Sequence, residues 1–472
     1  MKAYTILAVL LVITGTTVAQ TVPLVSNYPD TLWAETDTFH VMGDGWPEPW
    51  AFATTEEDTV DLGTDGYPGM RMKVWTTTDT LTVQYVNSPL KQWLYLPVAS
   101  PSDTVTYRLR FNPQFAVYSE KYIDEHQGEA SWSIPETYEL ANVILRLSAC
   151  SEQTGNRPES EYANKVLDHF SSFKTHPLIT ILNKRCSQGN PFQTYYNFRE
   201  NSICYRFEEG ELVYDEPYAH VRGNENEVQG GMFRELAYLV QDFAAASHFR
   251  KFYQDNRSYY QALEQREQEL MPVREMWRWL EKEFPIQIQS YQIIFSPLIG
   301  GAHSTQKFHH GSFVNSKFKE VVMFVSSTEL VDRDSTYTEQ QKEGLTSGIV
   351  FTEIDHNYVN PTTSKHQATV DSLLADLTFW ATEEALANYE SAYEVFNEYM
   401  THAVFCLYVQ ERYPAEVADF VIQERKALMD KRGFKQFNRF NEIILTTLRK
   451  DRRKKPIADY YSEILAQLRK IS

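Results

Sequence analysis

Thr352-Glu353-Ile354-Asp355-His356 is the stretch whose residue types and spacing come closest to a known chemistry. It is the His-Glu-x-x-His pattern of zinc hydrolases with threonine in the place of the first histidine. In the intact pattern two imidazoles one helical turn apart grip one zinc, and the glutamate takes a proton from the water that the ion polarises. Here Glu353 keeps the place of the general base and His356 that of one zinc ligand. Further along the chain, Glu398 and His402 stand four residues apart and so share one face of a helix. Glu398 is the candidate further ligand. His402, one turn beyond it, is the candidate that refills the position Thr352 leaves empty.

Each residue also has an ordinary structural role. The Thr352 hydroxyl can return to the preceding helical turn. His356 can be a hydrogen-bonded core histidine, Glu353 a plain exposed carboxylate, and Glu398–His402 a simple helical pair. Asp355 is expected to orient His356 or to face solvent rather than to bind metal.

The elements around these residues strengthen the pattern. Leu345, Ile349, Thr352 and His356 recur at helical intervals and form one stripe, which is expected to face the core with Glu353 at its edge. A strand over 321–325 precedes that helix, and a second strand is expected over 286–295. The stretch 384–411 lacks glycine and proline and reads as one helix carrying Glu398 and His402. Asn360-Pro361 is expected to break the first helix. Gly300-Gly301-Ala302-His303 follows a strand, so His303 is a candidate for the cleft, whereas His309-His310 reads as a surface feature.

The segment Thr352–Pro361, with Asn397-Glu398-Tyr399, resembles an uncharacterised family of secreted bacterial zinc metallopeptidases of gluzincin type. The resemblance covers about residues 130–412 and is specific at these two motifs. It implies Glu353 as general base, His356 and Glu398 as zinc ligands, and a peptide or protein substrate hydrolysed by a metal-activated water. The departure at Thr352 opens the alternative of a catalytically inactive zincin-fold protein that binds protein or glycan in the same cleft.

The remainder of the chain bounds these readings. Its net charge of −18 argues against a nucleic-acid partner. No long apolar run follows the N-terminus, so no membrane span is expected. Lys2, the apolar run Ile6–Ile13 and the small residues before Ala19 form an export signal over residues 1–19, which implies a periplasmic or extracellular protein. Export permits disulfides, and Cys186 with Cys204 is the best candidate pair among the four cysteines. Residues 20–128 alternate short Val-, Tyr-, Trp- and Thr-rich runs with turn residues and read as a sandwich-like β module. Residues 129–412 read as a zincin-like domain, mostly helical with a small sheet. The fold class is therefore α+β. Residues 413–472 read as a basic helical extension packed on that domain. Its last 48 residues carry 14 Lys and Arg against 5 Asp and Glu, and the run from Arg449 to Lys455 reads as a solvated helix end.

Overall fold

The computed structural model describes residues 118–448 and 454–470 apart from 216, 219–220, 223–230, 302 and 310–317, together with Ala116 and the strands between 20 and 112. The export signal and residues 449–453 of the basic run lie outside the described residues. The chain is α+β and divides into two compact units: residues 1–115 with the short segments 224–228 and 311–316, and the remainder of the chain.

Among its described residues the first unit has nine strands: β1 (Gln20–Pro23), β2 (Leu32–Trp33), β3 (Thr38–Gly43), β4 (Trp50–Ala53), β5 (Thr59–Asp65), β6 (Arg71–Trp75), β7 (Thr80–Gln84), β8 (Gln92–Ala99) and β9 (Thr104–Asn112). They form two sheets, ordered β1-β7-β6-β3-β4 and β2-β8-β9-β5. Val74 and Leu81 of one sheet and Leu96 and Val98 of the other are wholly buried, as the alternating pattern requires. Pairing within these sheets is mixed: β1–β7, β2–β8 and β5–β9 pair in parallel and the other pairs are antiparallel.

The second unit begins at Ala116, ahead of the boundary expected at residue 129. β10 (Glu129–Ser133) belongs to its sheet, which also contains β13 (Ser290–Ser296), β14 (Ser304–His309) and β15 (Lys319–Ser326) in the order β10-β13-β15-β14. A separate hairpin joins β11 (Tyr205–Glu208) to β12 (Glu211–Tyr214). The first three strands of the sheet run parallel and β14 runs antiparallel along β15. Ile293–Phe295 of β13 and Val321–Val325 of β15 are apolar runs because both faces are covered. The flanking helices used below are α1 (Glu136–Leu147), α2 (Pro191–Glu200), α3 (Arg257–Leu270), α4 (Val273–Glu283), α5 (Glu339–Ser364), α6 (Ala392–Arg412), α7 (Ala415–Lys431) and α8 (Phe437–Thr447). The C-terminal helices are part of this unit rather than an extension of it.

Three local expectations are corrected. The stretch 384–411 is not one helix: a short helix, Glu383–Leu386, precedes α6, which starts at Ala392. α5 runs through Pro361 without a break. A proline inside a helix costs about 3 kcal/mol, and burial of Tyr358, Val359, Thr362 and Thr363 on either side of it holds the segment helical. The disulfide joins Cys150 to Cys186, not Cys186 to Cys204. Cys150 lies on the helix Ala149–Gln153 and Cys186 on the helix Pro177–Gln188, with Cα atoms 5.5 Å apart, whereas Cys204 is a buried free thiol. Among the described residues no helix is long and apolar enough to cross a membrane.

Candidate functional site

α5 starts at a capping box in which Thr338 and Gln341 satisfy each other's backbone groups, and α6 at a second one made by Ser391 and Glu394. The two helices pack together, and α7 lies against both. α7 comes unusually close to α5 because small residues recur along one face. A Cβ on Gly344 would sit 2.6 Å from Val421 Cγ2, and one on Gly348 would sit 1.6 Å from Arg425 Nη2. The guanidinium of Arg425 therefore lies where a side chain at 348 would be.

A cleft of about 640 Å³ opens between these helices, lined by Leu345, Gly348, Ile349, Thr352 and Glu353 of α5, by His303, and by Tyr389, His402, Arg425 and Arg432. The apolar stripe expected to face the core thus faces the cleft: Leu345, Ile349 and His356 are only half-buried. Its small neighbours Gly344 and Gly348 instead make the close packing surface.

Glu398 is the centre of the site. His356 Nε2 stands 3.4 Å from Glu398 Oε1, so the two distant segments do meet. Arg432, which caps α7, donates from Nη2 to Glu398 Oε2 at 2.7 Å and to the Tyr389 hydroxyl at 2.6 Å. Its Nη1 lies 2.6 Å from His402 Nε2. Arg425 Nη1 faces the other ring nitrogen, His402 Nδ1, at 3.1 Å. One imidazole is thereby held between two guanidiniums.

The charges follow from this arrangement. Burial opposes ionisation of Glu398, but hydrogen bonding to His356 and His402 and the Arg432 charge hold its carboxyl well below the usual range. Burial also works against a charged His356, and the Glu398 carboxylate overrides it, setting the imidazole at about 9. Burial, with the two arginines, lowers His402 to about 3, so its 3.7 Å approach to Glu398 is not an ion pair. Burial pushes Glu353 up to about 7, the range of a group able to take and return protons near neutrality. His303, hydrogen-bonded to Ser326 at 2.9 Å, is kept neutral by burial and by Arg199, at about 4.

Asp355 takes neither role expected of it. It is wholly buried, neither oxygen has a hydrogen-bond partner, and burial raises it well above the carboxylate range. His356 is oriented instead by Asn360, whose Oδ1 lies 3.1 Å from Nδ1.

A zinc ion held by the protein requires at least three side-chain donors. His356 and Glu398 fit two corners, since ligands each about 2.1 Å from a tetrahedral ion lie about 3.4 Å apart. No third corner is offered. The Thr352 hydroxyl donates to Gly348 O at 3.0 Å, and both nitrogens of His402 face arginine. Among the described residues no group of three or more His, Cys, Asp or Glu side chains is placed to hold a metal. The Arg432 guanidinium already holds the second oxygen of Glu398 and faces His402.

Sequence reasoning located Glu353, His356, Glu398 and His402 but missed Arg425, Arg432 and Tyr389. The signals were present: the small residues Gly344, Gly348 and Thr352 four apart mark a close helix approach, and Arg425 and Arg432 lie seven apart, two turns along one helix face. Known proteins give no further guide, since no protein family, curated protein or solved structure matches the chain.

Proposed function

We propose that this is an exported, zincin-like protein, periplasmic or extracellular, that binds polypeptide in the cleft of its second unit without hydrolysing it. The observation that carries the reading is Arg432, whose guanidinium contacts Glu398, His402 and Tyr389 together and supplies the positive charge a hydrolase would take from its metal. The antiparallel outer strand β14 supports a peptide ligand, because an extended chain can add to such an edge through backbone hydrogen bonds. His303, immediately before β14, lines the cleft. The Cys150–Cys186 disulfide supports an oxidising compartment.

A second reading, the active zinc peptidase, is favoured by the 3.4 Å pairing of His356 with Glu398 and by a Glu353 carboxyl near 7. Incubation with random-sequence octapeptides, followed by equilibrium binding and mass spectrometry, separates the two. The expected result is saturable binding with all peptide masses unchanged. Cleavage that is abolished by a chelator and by Glu353→Gln would establish the second reading in place of the first.

A further inference from the structure

The cleft holds a second buried arginine that the reading above does not use. Arg425 is only 8% exposed and lines the cleft. Its guanidinium stacks on Phe405, 4.5 Å from the ring centroid, and its Nη1 lies 3.1 Å from His402 Nδ1. Imidazole cannot offset a buried positive charge, and this ring already faces Arg432 on its other side. Arg432 is compensated by Glu398; Arg425 has no carboxylate within ion-pair distance among the described residues. Asp355 does not pair with it, since neither of its oxygens reaches a donor. Glu424 precedes it on α7 and also lines the cleft, but it is exposed and makes no ion pair with Arg425.

A buried charge without a counterion is costly. The fold has nonetheless made room for this one, because the guanidinium occupies the space that a side chain at Gly348 would fill. The arrangement suits a ligand that brings its own negative charge. A guanidinium fork matches a carboxylate in shape and charge, and the surrounding apolar walls, Leu345, Ile349 and Phe405, strengthen such a pair by excluding water.

We infer that Arg425 anchors a carboxylate-binding subsite of the cleft and that the peptides bound there present either a C-terminal carboxylate or an Asp or Glu side chain. This rests on the polypeptide-binding reading and specifies its ligand. The subsite also explains why α5 carries glycine at 348: a larger residue would expel the guanidinium from the cleft.

The test uses the mature chain and fluorescein-labelled octapeptide pools read by fluorescence anisotropy. One pool lacks Asp and Glu and ends in a free carboxylate. A second is the same pool with a C-terminal amide. A third is the amide pool with Glu restored at random positions. The expected result is at least tenfold tighter binding of the first or the third pool than of the second. The first assigns the C-terminus and the third the acidic side chain. Arg425→Gln should abolish that preference while thermal unfolding and the disulfide show the fold intact. Arg425→Lys, which keeps charge but not the fork, should retain part of it. Equal binding of all three pools, unchanged by Arg425→Gln, would overturn the anchor and leave the polypeptide-binding reading standing. Binding of no pool would overturn both, and chelator-sensitive cleavage of all pools with no carboxylate preference would do the same.

Discussion

Two buried glutamates in the second unit are held in opposite ways. Glu320, wholly buried on β15, accepts hydrogen bonds from the hydroxyls of Tyr118 at 3.2 Å, Tyr122 at 3.1 Å, Tyr218, and Ser290 at 2.8 Å, and from the Gln292 amide at 3.2 Å. All its partners are uncharged. Glu398 on α6 is instead surrounded by an imidazolium, a neutral imidazole and a guanidinium, at the edge of a cleft. The first arrangement is closed: hydroxyl and amide donors saturate the carboxylate, and burial of those tyrosines raises their own ionisation far from neutrality. It fixes the β13–β15 sheet to the segment around Tyr118 and Tyr122. The second is open. It pairs an imidazolium and a guanidinium with the Glu398 carboxylate, and it adds the Arg425 guanidinium, which has no carboxylate within ion-pair distance among the described residues. A saturated buried carboxylate reads as architecture, and a cluster with surplus charge beside a cavity reads as a ligand site.

The largest effect should come from emptying the closed cluster. Glu320→Ala leaves several buried donors without an acceptor and is expected to cost about 3–5 kcal/mol, measured by urea unfolding. Glu398→Ala should cost less, about 1–3 kcal/mol, because the Arg432 side chain is 30% exposed and recovers water. A larger loss at Glu398 than at Glu320 would reverse the comparison.

Acid should distinguish the clusters next. His402 is held at about 3, below its unfolded value, so the unfolded chain gains a proton first as pH falls. Its contribution to stability is therefore complete above about 6.5 and is lost progressively below it, by about 2 kcal/mol at pH 5. Subtracting the stability profile of His402→Gln from that of the wild type should isolate this slope. Parallel profiles would show that the ring is not held neutral.

Gly348→Ala should cost about 1–2 kcal/mol, because a methyl there meets both Arg425 Nη2 and the Phe405 ring, at 1.6 and 2.9 Å. The fold should persist while carboxylate-dependent peptide binding disappears. The smallest effect belongs to Tyr389→Phe, which removes one hydrogen bond to Arg432 and should cost about 1 kcal/mol or less. A greater cost would mean that Tyr389, rather than Glu398, positions the arginine.

The sequence revealed what depends on periodicity. The β-rich start and the helix faces shared by Glu353 with His356 and by Glu398 with His402 were legible, because a helical stripe determines which residues share a face; the pairing of His356 with Glu398 was expected from the resemblance, not from periodicity. What depends on tertiary burial was not. Pro361 reads as a break until the packed residues around it are known. Cys204 reads as the better partner for Cys186 until the helices carrying Cys150 and Cys186 are seen together. The arginines were hidden for a further reason: a basic C-terminal stretch is usually solvated, and only the glycines of α5 hint that part of it is drawn inward. His402 was read as a metal ligand from its spacing, and spacing does not reveal that a cation already stands on each side of its ring.

The central claim, that Arg432 stands in for a metal, is tested most directly by zinc stoichiometry. The protein, equilibrated against micromolar zinc and then desalted, should retain far less than one zinc per chain, and His356→Ala should not change that value. One zinc per chain, lost on His356→Ala, would contradict the account.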